Sequence, residues 1–85
     1  MTLSEKWKRV VDDRWPDVIW WELELTSDLK LSAFSLSHKG WGTELEADTA
    51  MGWMPIFIRT EPPYRDSFNA RRGAEAWLRK LAREL

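Results

Sequence analysis

The ten residues Asp17–Thr26, DVIWWELELT, constrain the fold more than any other stretch of this chain. Side chains of an extended segment alternate between two faces. Ile19, Trp21, Leu23 and Leu25 therefore form one row, and Val18, Trp20, Glu22 and Glu24 the other. The glutamates mark the second row as the outer one. Adjacent Trp20 and Trp21 cannot enter the same core, so any sheet built on this strand places one tryptophan inside and sets the other among carboxylates.

The neighbouring segments follow from the same test of period. Thr2 with Glu5 fits a capping box, and Leu3, Trp7, Val10, Val11 and Trp15 recur at helical spacing, which predicts an N-terminal helix that Pro16 stops near Arg14. Ser27 and Asp28 predict a hairpin turn into a second strand over 29–38. Its parity is mixed: Leu29, Leu31 and Ala33 share one face, Phe34 and Leu36 the other, and a bulge near Ala33 would reconcile them. After Lys39 and Gly40, WGTELEAD alternates Thr43, Leu45 and Ala47 against Glu44, Glu46 and Asp48 and predicts a third strand. The run Trp53–Thr60 reads as a fourth, with Met54, Ile56 and Ile58 on one row and Trp53, Phe57 and Arg59 on the other. Pro55 removes a ladder donor and confines that strand to an edge. Asp66 or Ser67 caps a last helix whose apolar stripe is Ala70, Ala74, Trp77, Leu78, Leu81 and Leu85.

These elements predict an α+β two-layer sandwich: N-terminal helix, antiparallel meander of three to four strands, C-terminal helix, in the order α-β-β-β-(β)-α. An 85-residue chain builds one core, so residues 1–85 form a single domain. With both helices on one sheet face, Ile19, Trp21, Leu23, Leu25, Leu45, Ile56 and Ile58 lie between the layers. The opposite face then carries Trp20, Trp53 and Phe57 among Glu22, Glu24, Glu44 and Glu46. Contiguous apolar surface of this kind marks an interaction site unless a curl of the sheet or a loop covers it.

Charge is unevenly distributed. Residues 1–58 hold six basic and ten acidic side chains, and residues 59–85 hold seven and four. An overall pI near 5.8 argues against a general nucleic-acid binder. The concentrated positive charge is that of Arg65, Arg71, Arg72, Arg79, Lys80 and Arg83, with Arg72, Arg79 and Arg83 within roughly 40° of one another around the helix. Those arginines are either a solvated face set well against the helix dipole or a phosphate-binding surface. In element order alone the chain resembles the double-stranded-RNA-binding domain. That family opens its final helix with a lysine pair and a further lysine, where this chain has DSFNARR. Its first hairpin loop carries Gly-Pro and His, and here that turn is Ser27-Asp28.

Catalysis has little to build on. His38 is the only histidine, and cysteine is absent, so a zinc site would need carboxylates for nearly all its ligands. Glu22 with Glu24, and Glu44 with Glu46, share a face two residues apart, a spacing that suits a hard cation or an acid/base pair but also ordinary solvated charge. The absence of cysteine and of a long apolar run leads to the expectation of a cytoplasmic protein with no membrane segment, metal or cofactor. The expected function is non-enzymatic: an adaptor or inhibitor, in the style of small phage or mobile-element accessory proteins, that meets a protein partner through Trp20, Glu22, Glu24, Glu44, Glu46, Trp53 and Phe57. A second copy of the chain is another candidate for that face. The alternative is a nucleic-acid-binding module using Arg65, Arg71, Arg72, Arg79 and Arg83.

Overall fold

A computed structural model describes residues 5–15, 18–36 and 40–84. Five strands, β1 (Lys8–Val11), β2 (Ile19–Thr26), β3 (Leu29–Ser35), β4 (Trp41–Thr49) and β5 (Gly52–Tyr64), precede one helix, α1 (Ser67–Glu84). All neighbours are antiparallel and the spatial order is the chain order, β1-β2-β3-β4-β5. The order is thus β-β-β-β-β-α, which corrects the expected α-β-β-β-(β)-α.

The correction concerns the N-terminal segment. Among the described residues there is no N-terminal helix; Lys8–Val11 pair as a strand with Glu22–Ile19. Thr2 and Leu3, the start of the expected helix, lie outside the described residues. Two physical reasons favour the strand. Val10 and Val11 are β-branched, and an isolated helix of about twelve residues is marginal unless it packs. Without β1, the apolar and aromatic strand β2 would be left as an open edge, which natural sheets avoid. Trp7 keeps its inward role, since its side chain is buried and its Nε1 donates to Glu75 Oε2 at 3.1 Å.

The hairpins follow local turn chemistry. Thr26 Oγ1 accepts from Asp28 N at 3.1 Å in the Ser27-Asp28 turn. Between β4 and β5, Gly52 takes φ 98° and its carbonyl accepts from Thr49 Oγ1 at 2.8 Å. Asp66 caps α1 by accepting from Asn69 N at 2.8 Å.

Helix α1 covers one face of the sheet, over β3, β4 and β5. The core between the layers is Leu23, Leu31, Ala33, Leu45, Ala70 and Ala74 with Trp7, flanked by Trp21, Leu25, Trp41, Tyr64, Trp77 and Leu78. Trp21 is therefore on the inner face, where the Arg71 guanidinium lies 3.8 Å from its ring centroid. Gly73 matters here, because a Cβ at that position would collide with the Tyr64 ring. Ile56 and Ile58, expected in the core, are 50% and 58% exposed. A bulge explains it. Leu45 pairs with Phe57 but Glu46 pairs with Pro55, so Ile56 is the extra residue and the faces of β5 exchange there. Phe57 consequently turns to the helix layer, where its ring meets that of Trp77 edge-on at 5.5 Å.

Leu23→Ala, in the centre of the inner face, should cost about 2–5 kcal/mol. Ile58→Ala should cost about 0.5 kcal/mol or less, as an exposed change. Urea unfolding of both variants checks this, and equal losses would place Ile58 in the core.

Candidate functional site

The sheet face that α1 leaves uncovered is built from the outer rows of all five strands. Register aligns Val10 with Trp20, Trp20 with Phe34 and Phe34 with Gly42, so an aromatic band crosses β2 and β3. Gly42 makes that band possible: a Cβ there would come within 3.0 Å of the Phe34 ring and of the Arg59 carbonyl. The next rungs carry charge, with Lys8 opposite Glu22, Glu22 opposite Ser32 and Ser32 opposite Glu44. Lys30 stands opposite Glu24 on one side and Glu46 on the other.

The sheet curls, and this face is concave. One groove of ≈ 830 Å³ runs over Trp20, Phe34, Ser32, Glu22, Glu44 and Glu46. A second, of ≈ 640 Å³, is lined by Val10 of β1 and Trp53 of β5, residues from the two opposite edges of the sheet. Lys30 lines both. Its Nζ lies 2.5 Å from Glu22 Oε1, 3.6 Å from Glu46 Oε2 and 4.5 Å from the centroid of the Trp53 ring. Ser32 Oγ donates to Glu46 Oε2 at 3.0 Å. Burial works to lower the Lys30 pKa, but the hydrogen bond and charge of Glu22, joined by those of Glu46, outweigh it and raise it. Lys30 is a fixed cation.

Glu44 is the unusual acid of this face. Burial, followed by the hydrogen bond and negative charge of Glu46, pushes its carboxyl up to about 7, against the opposing pull of Lys30. Lys30 is within ion-pair distance of Glu22 and Glu46, and among the described residues no cation stands that close to Glu44.

The structure brings Trp20, Glu22, Glu24, Glu44, Glu46 and Trp53 onto this face, with Trp20 half-buried in the groove rather than standing free. It does not bring Phe57 there. Trp53 and Phe57 are four residues apart and would share a face in a regular strand, but the bulge lies between them. Lys30 and Ser32 belong to the face and carry its polar network. Their signal was parity: once Leu29, Leu31 and Ala33 face inward, Lys30, Ser32 and Phe34 must face outward. No bulge interrupts β3 near Ala33, so the mixed parity of that strand is the alternation of two used faces.

The basic residues are differently placed. Arg71 stacks on Trp21, and Arg72 and Arg79 flank the Glu75 carboxylate at 3.9 and 3.6 Å. Glu75 is 1% exposed and its Oε1 has no hydrogen-bond partner among the described residues, so the two arginines supply the charge compensation it needs. Arg65 and Arg83 are exposed. His38 lies outside the described residues. Among the described residues, no group of three or more His, Cys, Asp or Glu is placed to hold a metal ion, and no helix is long and apolar enough to cross a membrane.

Comparison with family models, with curated proteins and with solved structures returned no match.

The raised Glu44 pKa makes stability fall as pH rises. Between pH 4.5 and about 7 the folded chain keeps a proton that the unfolded chain has released, so the folded state binds more protons there. The contribution is complete below pH 4.5 and gone above about 7. Glu44→Gln should flatten this part of the profile in urea unfolding across that window. An unchanged slope in the variant would mean that Glu44 does not hold the proton.

Proposed function

We propose that this protein is a non-catalytic binding module that docks a basic, apolar segment of a protein partner in the concave open face of its sheet. The observation that carries this reading is the coincidence, in one groove, of the rings of Trp20 and Phe34 with the carboxylates of Glu22, Glu44 and Glu46. Aromatic anchors in a pocket supply most of the energy of an interface, while charge steers encounter and selects the partner. A partner lysine or arginine arriving near Glu44 would favour its ionised carboxylate. A nucleic acid would bring phosphates toward those same carboxylates.

Use of the helix arginines for phosphate binding is less favoured. Arg71 already stacks on Trp21 of the sheet, and Arg72 and Arg79 compensate the buried Glu75 within α1, so engaging phosphate would compete with those contacts. An adaptor or an inhibitor of a larger protein fits the reading equally, because both need only a small rigid surface. The absence of cysteine fits a setting in the cytoplasm.

Two sets of variants test the assignment. Trp20→Ala with Glu44→Lys should fold and should weaken partner binding by about 2 kcal/mol or more, the expected size for a hot-spot aromatic. Arg65→Glu with Arg83→Glu should leave it nearly unchanged. Association measured by surface plasmon resonance should slow as salt rises, as steering by opposite charges requires. The reading fails if the partner tolerates the open-face changes and is lost with the arginine reversals.

A further inference from the structure

We propose that the cleft between the β4–β5 hairpin and α1 binds a small aromatic carboxylate, its ring held among apolar side chains and its charge met by Arg59. The cleft measures ≈ 170 Å³. An apolar cavity of about 150 Å³ accepts a benzene ring, so the space suits a ligand of that size. Its floor is Leu31, Leu45 and Ala74, all buried, and Phe57 and Trp77, packed edge-on, form one side. A flat apolar ring matches this lining, because aromatic side chains favour edge-on and offset contacts with another ring.

The polar groups of the cleft share one rung of the sheet. Register places Thr43 opposite Arg59, and parity with the Leu45–Phe57 rung turns both toward the helix layer. Thr43 is 7% exposed and Arg59 is exposed, so the hydroxyl lies deep and the charge at the mouth. The Arg59 guanidinium lies 4.2 Å from the centroid of the Tyr64 ring and donates to the Tyr64 hydroxyl at 2.6 Å. Tyr64 is in turn set against α1, where the missing Cβ of Gly73 makes room for its ring. Among the described residues no carboxylate stands within ion-pair distance of Arg59. A guanidinium has more N–H donors than the bond to Tyr64 uses, and their planar fork matches a carboxylate.

Glu44 also borders the cleft, but its carboxyl is hydrogen-bonded with Glu46 on the open face and does not oppose an anion beside Arg59. The site lies on the helix side of the sheet, apart from the groove over Trp20, and its failure would not touch the reading of that groove.

Benzoate is the probe, with benzamide as its uncharged isostere. In proton–carbon correlation spectra, benzoate should shift the methyl signals of Leu31, Leu45 and Ala74 and the ring signals of Trp77. The shifts should saturate with a dissociation constant of about a millimolar or below, the range open to a ligand of so few atoms. Benzamide should bind at least about tenfold more weakly, since it lacks the charge that Arg59 meets. Arg59→Gln, at an exposed position, should keep the circular dichroism of the parent and bind the two probes alike. The preference of the unmodified chain for benzoate is a readout that holds even if that variant fails to fold. No saturable shift at those residues, shifts gathered instead around Trp20, equal affinity of the parent for both probes, or a preference that survives Arg59→Gln would overturn the proposal.

Discussion

One helix cannot cover both faces of a five-stranded sheet, and the rest of this structure follows from that limit. Helix α1 packs over β3 to β5 and seals the inner rows around Leu23, Leu31 and Leu45. Among the described residues the outer rows have no second layer, so they must remain compatible with water. They do so by mixing rings with ionised groups and by curling. Trp20 is then half-buried in a concave groove, shielded by the curvature of the sheet rather than by another element.

The buried Glu75 is the inner counterpart of this compromise. A carboxylate in the interior is costly unless it is paired, and here a Trp7 indole and two arginines serve it. That arrangement ties the segment before β1 to the middle of α1, across 68 positions of sequence. It also reassigns the basic helix. Arg72 and Arg79, which look in sequence like a free cationic stripe, act structurally through one buried acid.

What could be read in the sequence was local and periodic. The alternation of Asp17–Thr26 separated Trp20 from Trp21 onto opposite faces, the Ser27-Asp28 turn fell in place, and Asp66 and the Ala70, Ala74, Trp77, Leu78 stripe located α1. What could not be read depended on distant partners. Lys8–Val11 fits a helical stripe as well as a strand, and only the need of β2 for a neighbour decides between them. The bulge opposite Leu45 and Glu46 is marked in the β5 sequence only by Pro55, which suits an edge strand as well as a bulge, yet it exchanges the faces of Ile56, Phe57 and Ile58 and so moved one expected site residue into the helix layer. Glu75, set between Ala74 and Ala76, shows no sign of burial until Trp7 arrives from the other end of the chain.

On the proposed function the two faces have separate duties, the inner one holding the fold and the outer one meeting a partner. Backbone amide chemical shifts followed during titration with a short peptide of alternating arginine and tryptophan test it most directly, because they report position without assuming a partner's identity. Perturbations should concentrate at Trp20, Glu22, Ser32, Phe34 and Glu44, with α1 unaffected. Perturbations centred on α1, or spread evenly over both faces, would contradict it.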